Sequence, residues 1–129
     1  MNIFKFPFSI AYSDTDAGGI VYHGRYIEIA ERARMEMMRG IELPADDIGF
    51  VVRELSIKYM HPLRLAADIV VETEITKIGA ASMDLEQKFV HDGAICAIMN
   101  IAVAYIGADV RAKRIPDAVL SHLDSTKEG

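Results

Sequence analysis

Two aspartates and a histidine stand close together near the start of this chain, in the run Tyr12-Ser13-Asp14-Thr15-Asp16-Ala17-Gly18-Gly19-Ile20-Val21-Tyr22-His23-Gly24. His23 follows Asp16 by seven residues, and a helical pattern opens around it. The start of a helix leaves backbone N–H groups free and carries about half a positive charge. It can hold an anion or polarise a carbonyl. A carboxylate aimed at the carbon of that carbonyl completes a minimal hydrolytic site. Residue types and spacing alone favour a blander role, because aspartates beside glycines commonly build turns and caps. Asp14 is read in that structural sense, as an Asx-turn former. Gly18 and Gly19 supply either positive φ and close approach of a ligand or a plain tight turn.

The flanking segments predict how this run is held. Ile3 to Tyr12 is rich in aromatic and β-branched residues and reads as a first strand, irregular around Pro7. From about Tyr22 to Arg39, Tyr26, Ile29 or Ala30, Ala33 and Met37 recur at three- and four-residue spacing, the signature of a helix. Arg25, Glu28, Arg32, Glu36 and Arg39 follow another face, and Gly40 provides the stop. Pro44 to Ile48 is a connector with room for a short turn of helix. Strands are expected at Phe50–Met60, Asp68–Ile78, Ser82–His91 and Ala94–Ile106, with a bend at His61-Pro62 and a tight hairpin at Asp92-Gly93. The last of these strands is nearly all apolar and is expected to run centrally, covered on both faces. Beyond about Asp109 the tail is polar and peripheral, with Ala118-Val119-Leu120 docking as one helical turn. A helix of about 16 residues would be roughly 24 Å long. One strand, that helix and four strands joined by tight turns predict a single α+β domain over residues 1–129. Its arrangement would be a five-stranded antiparallel sheet wrapped around one long central helix, the hotdog fold.

Composition narrows the function. A chain of 129 residues, 51% apolar and 26% charged, is that of one ordinary compact domain. Its single cysteine, Cys96, excludes an intrachain disulfide and fits a reducing compartment; lying on an apolar strand, it reads as a core residue. Lys5 and Pro7 interrupt the N-terminus where a signal peptide would be apolar. No stretch approaches the roughly 18 apolar residues of a membrane span. The expectation is a cytoplasmic protein with no membrane insertion. A net charge of -5 argues against nonspecific binding of nucleic acid, although not against an anionic ligand. His61 reads as a bend, His91 as a hairpin flank and His122 as a tail residue. None has metal-ligand spacing, so no metal and no resident cofactor are expected. Met35, Met37, Met38 and Met60 read as core or interface filler rather than an acyl pocket, and Glu31 as part of a solvated helix face.

The run Asp14-Thr15-Asp16-Ala17-Gly18-Gly19-Ile20-Val21-Tyr22-His23, followed by Glu31-Arg32-Ala33-Arg34, resembles the signature of the 4-hydroxybenzoyl-CoA thioesterase-like hotdog family. Within it the chain is most similar to the Tol–Pal-associated acyl-CoA thioesterases. The resemblance extends from about Ile10 to Pro116, with weaker support from Val52-Arg53 through Tyr59 and Pro62, then Asp68-Ile69-Val70-Val71, Gln87 and Ile115-Pro116. It implies that Asp16 is the catalytic carboxylate and that His23 and Tyr12 take part. It further implies that a backbone N–H at the helix start, at His23 or Gly24, polarises the thioester oxygen. The loop glycines Gly18 and Gly19 would approach the substrate. Active sites in the wider family form between subunits, which implies a homo-oligomer, a dimer or a dimer of dimers (homotetramer). The chain departs from the family at Gly79-Ala80-Ala81, where many relatives carry an arginine after the glycine. It departs again at Met60-His61-Pro62-Leu63, where Arg-Pro-Ala is commoner. Contacts to coenzyme A are therefore not carried over; Lys58, Lys77, Arg111, Lys113 and Arg114 are loose candidates that fit a solvated surface better.

The resemblance implies hydrolysis of an acyl-CoA, short-chain or aromatic, to the free acid and coenzyme A, the latter being part of the substrate. Asp16 would attack the carbonyl directly or act as general base on water. An acyl-carrier-protein thioesterase and a non-catalytic acyl-CoA-binding hotdog module are the alternatives. Asp16 and His23 argue against the binding module, since a carboxylate beside an anionic ligand gives a binder no evident benefit.

Overall fold

The computed structural model describes residues 2–125. Strand β1 (Ile3–Ser9) leads through a single turn of 3-10 helix at Tyr12–Asp14 into helix α1 (Arg25–Met37). Strands β2 (Gly49–Tyr59), β3 (Asp68–Ile78), β4 (Ser82–His91) and β5 (Ala94–Ile106) follow, and a second helix α2 (Asp117–Ser125) closes the described chain. The strands form one sheet in the order β1-β3-β4-β5-β2, antiparallel throughout. Register shifts at Val52/Glu54, Ile75/Lys77 and Phe89/Val90 interrupt three of the four pairings. Such irregularities bend a strand and increase its twist, which curls the sheet around α1. This is the expected hotdog fold.

Helix α1 presents Tyr26, Ile29, Ala30, Ala33 and Met37 to the sheet, all buried. They meet Val71, Leu85, Phe89, Met99, Ile101 and Tyr105 from the sheet's inner face. Alanines at two of the five helix positions let the backbone of α1 come close to the sheet. One polar network crosses that contact. Gln87, fully buried on β4, donates from Nε2 to the Ala30 carbonyl (3.0 Å) and to Thr73 Oγ1 (3.0 Å). Its Oε1 accepts from Arg34 Nη1 at 2.9 Å. A side chain from the sheet thus completes the hydrogen bonding of the helix it faces.

The structure corrects several element boundaries. The first strand ends at Ser9, and Tyr12 sits in the 3-10 turn rather than at a strand end. Pro7 lies within the strand, opposite Val70; β1 is an edge strand, where a residue without an N–H is tolerated. Helix α1 spans 13 residues rather than about 16. Gly24 caps its start, and at its end Met38 leaves helical geometry before Gly40 turns at φ +91°. The connector before β2 contains no helix. Strand β5 is covered by the core on one face only: Met99, Ile101, Val103 and Tyr105 are buried, whereas Asn100 on the other face is exposed. The tail forms nine residues of helix rather than one turn, and Ile115, Val119 and Leu123 tie it into the core. The Asp92-Gly93 hairpin is as expected, with both residues at positive φ (49° and 78°).

Replacing Gln87 with leucine keeps the volume and leaves the Ala30 carbonyl, Thr73 and Arg34 without that partner. Gln87→Leu is expected to cost roughly 2–3 kcal/mol of folding stability, measured by urea denaturation with an unchanged m-value.

Candidate active site

The two aspartates of the motif, two residues apart, do different work. Asp14 is 2% exposed. Its Oδ1 accepts from both Nε and Nη2 of Arg25, each at 2.7 Å, and its Oδ2 accepts the Ala11 N–H at 2.7 Å. Arg25 is the first residue of α1, and its Nη1 reaches Glu28 at 2.9 Å. The hydrogen bond that Arg25 donates to Glu28, and then its contact with Asp14, hold the guanidinium above its usual pKa against the opposing effect of burial. Asp14 is therefore structural, as expected, but as one half of a buried ion pair that joins the loop to the helix.

Asp16 is exposed and has no cationic partner among the described residues. It is Asp16, rather than Asp14, that forms the Asx turn, accepting the Gly18 N–H at Oδ1 (2.8 Å). The loop is a narrow hairpin: the Asp16 N–H donates to Ile20 O (3.0 Å), and the Gly19 N–H to Asp16 O (3.0 Å). Gly19 has φ +77°. A Cβ at Gly18 would lie 3.2 Å from Asp16 Oδ1, so glycine leaves the carboxylate its place. Three backbone contacts lace this hairpin to the segment after β2: Val21 N–H to Leu63 O (2.8 Å), Leu65 N–H to Gly19 O (3.0 Å), and a bridge between Ile20 and Arg64.

That lacing brings the end of β2 beside the start of α1. Asp16 and His23 line a common cavity of about 390 Å³ with Tyr22, Tyr26, Tyr59 and His61; Ile20, Val21, Met60 and Pro62 complete its apolar wall. His23 lies in the turn that leads into α1, and its imidazole is exposed. Among the described residues, neither the His23 nor the Gly24 N–H donates to a backbone carbonyl. Tyr26, buried in the cavity floor, packs edge-on against Tyr59 (5.1 Å between centroids) and Phe89 (5.2 Å). Burial pushes the phenols of Tyr26 and Tyr59 up, so both remain protonated at neutral pH. A carboxylate, an imidazole and free N–H groups around an apolar cavity can polarise a carbonyl and attack it or activate water.

Of the residues expected at the site, Asp16 and His23 line the cavity; Gly18, Gly19 and Gly24 are near them in the chain but outside its lining. Tyr12 stands apart: its side chain is 82% exposed and lies outside the cavity lining, while its carbonyl accepts from the Thr15 N–H (3.1 Å) and hydroxyl (2.9 Å). The other lining residues were not expected there, among them Tyr59, Met60 and His61 from the end of β2 and the bend after it. Met60 was expected to be filler and His61 a bend. The bend exists, with the Met60 and His61 N–H groups both on the Cys96 carbonyl, and both residues line the cavity that Asp16 lines. Met37 is core, as expected, and Met35 is exposed. Cys96 is buried, and Lys113, a loose candidate for coenzyme A, is engaged with Asp47 at 2.9 Å.

Comparison with known proteins follows the same lines. The profile of the thioesterase-like superfamily matches residues 10–123. The acyl-CoA thioester hydrolase YbgC of Escherichia coli O6:H1 is 39% identical over 94 residues, 69% of this chain and 70% of the relative. The acyl-CoA thioesterase YbgC of Haemophilus influenzae is 35% identical over 111 residues, 81% of this chain and 82% of the relative. Among solved structures, a probable thioesterase from Bartonella henselae superposes with a TM-score of 0.80 at 28% identity, covering 90% of this chain and all of the other. A 1,4-dihydroxy-2-naphthoyl-CoA thioesterase from Synechocystis shares the fold, with a TM-score of 0.86 at 15% identity over 96% of this chain and 97% of its own.

The division between the two aspartates is measurable. Asp14→Asn removes the buried anion from Arg25, leaving it only the exposed Glu28, and is expected to lower stability by about 2–4 kcal/mol. Asp16→Asn, at an exposed turn, is expected to cost less than about 1 kcal/mol. Chemical denaturation of both variants checks this.

Proposed function

The chain belongs to the thioesterase-like superfamily, and from that premise we propose that it is an acyl-CoA thioesterase in which Asp16 carries the hydrolytic step. The observation that supports Asp16 most directly is its placement: an exposed carboxylate without a cationic partner, in one cavity with His23 and the N-terminal turn of α1. The named relatives are acyl-CoA hydrolases, which supports coenzyme A as the leaving group. A thioester carbonyl has weak resonance and a good thiolate leaving group, so the proposed reaction uses no metal and no cofactor.

In the proposed mechanism the acyl carbonyl lies against the apolar wall, with its oxygen at the free N–H of His23 or Gly24. Such donors act where negative charge develops, and removing one has cost about 2.7–4 kcal/mol elsewhere. Asp16 then follows one of two routes. Its oxygen bonds to the carbonyl carbon, the C–S bond breaks, coenzyme A leaves as thiolate and water opens the mixed anhydride. Alternatively, it takes a proton from water, which attacks instead. His23 is placed to position that water or to protonate the thiolate. A cavity of about 390 Å³ supports a short-chain or aromatic acyl group.

A homo-oligomer and a cytoplasmic setting complete the proposal. Strand β2 is an edge of eleven residues whose only strand partner among the described residues is β5, with Val51 and Val52 exposed within it. An open edge of that length is a template for pairing with a second copy. The cavity includes Tyr59 and Met60 at the end of this strand, so such pairing would set a second chain beside the site. No helix among the described residues is long and apolar enough to cross a membrane.

Thiol release from short-chain, long-chain and aromatic acyl-CoAs tests the reading. Asp16→Asn is expected to lower kcat roughly a thousandfold while remaining folded. Full activity in that variant would overturn the assignment of Asp16. Turnover of acyl-carrier-protein thioesters in place of acyl-CoA would move the substrate instead. A single turnover in heavy-oxygen water tests direct attack: label in Asp16 arises only when Asp16 has formed the anhydride and water opens it at the aspartyl carbon.

A further inference from the structure

Resting on the hydrolase reading above, we propose that Tyr59 is a positioning residue for the carbonyl-polarising turn, acting through its hydrogen bond to His23. The Tyr59 hydroxyl donates to the His23 carbonyl at 2.9 Å, joining residues 36 positions apart in the chain. The peptide plane on the other side of His23 is held as well: its carbonyl, that of Tyr22, accepts the Arg25 N–H at 3.0 Å. One hydrogen bond therefore falls on each of the two planes that flank His23. A peptide plane is rigid, leaving φ and ψ as the only soft torsions between two of them. Fixing both planes fixes the φ and ψ of His23, and with them the direction of its N–H and the origin of its imidazole.

The need for an external anchor follows from where the helix begins. His23 precedes the Gly24 cap of α1, so its carbonyl falls outside the regular hydrogen-bond ladder of the helix. Tyr59 itself is well held. Its ring packs edge-on against Tyr26, whose ring packs in turn against Phe89 in the core. Its backbone closes β2 opposite Ala97, and the next two N–H groups both bind the Cys96 carbonyl. The phenol therefore transmits the position of β2 and β5 to the turn. An oxyanion donor is effective only when aimed beforehand at the place where charge develops. Reorientation of the turn would weaken the transition state more than the ground state.

The experiment compares Tyr59→Phe with the wild type, since phenylalanine keeps the ring, its packing on Tyr26 and its share of the cavity wall. The expected result is a fall in kcat of about tenfold, a fraction of what losing a whole donor costs, with KM within about twofold and an unchanged melting temperature. A structural or wall role would instead lower stability or raise KM with kcat preserved, and either outcome overturns the proposal. Infrared difference spectra provide a second readout that needs binding but no turnover. Butyryl-CoA with an isotope-labelled carbonyl, bound to Asp16→Asn, is expected to show that stretch shifted down from its position in water. Adding Tyr59→Phe is expected to reduce the shift, and an identical shift in both proteins overturns the proposal. Wild-type protein that hydrolyses no acyl-CoA would count against the hydrolase reading; the infrared comparison would then decide the role of Tyr59 by itself.

Discussion

The buried contact between Asp14 and Arg25 is the constraint on which the arrangement of this site depends. It joins the residue at the end of the 3-10 turn to the residue that starts α1, and everything between them is the loop that holds Asp16 and the turn that holds His23. Two guanidinium nitrogens converge on one carboxylate oxygen while a backbone N–H occupies the other, so the buried charge is compensated on both oxygens. Closing the loop in this way limits how far Asp16 and His23 can separate. Arg25 is thereby committed to Asp14 and Glu28, while the Asp16 carboxylate keeps one oxygen on the Gly18 N–H and makes no ion pair among the described residues.

The sheet supplies the second half of the site by curvature. Three register shifts bend it around α1, and the Gln87 network ties its middle strand to the helix backbone at Ala30. The helix therefore cannot slide along the sheet without breaking a buried hydrogen bond. The end of β2 arrives next to the helix start because the segment after it is hydrogen-bonded to the Asp16 hairpin at Val21 and Gly19. The same strand is an open edge. In the proposed assembly a second copy would pair there, so association and the geometry around Tyr59 would share one element.

Much of the fold was legible from periodicity. The strands at Asp68–Ile78, Ser82–His91 and Ala94–Ile106 have the bounds that alternation and turn residues indicated, and Asp92-Gly93 turns as such a pair must. These features are local: alternation records which side of a sheet faces the core, and a type of turn follows from two residues that tolerate positive φ. Errors gathered at the ends. Tyr12 belongs to a 3-10 turn because the Asp14 carboxylate takes the Ala11 N–H and folds the chain early. The helix is shorter than its apolar pattern because Tyr22 and His23 face a cavity rather than join the ladder, and the period alone does not distinguish those uses.

The sequence by itself determined the order of elements, the hotdog class and the neighbourhood of Asp16, His23 and the helix start, since a loop of a few residues cannot carry them far apart. Tertiary structure alone decided which aspartate is buried, that Tyr12 is exposed outside the cavity lining, and that Tyr59, Met60 and His61 join that lining. The difference has one physical cause. Local hydrogen bonding and burial leave a periodic mark on the chain, whereas a contact such as that of Tyr59 with His23 depends on strand order, bulges and the path of the loops between, and these leave no pattern at either residue.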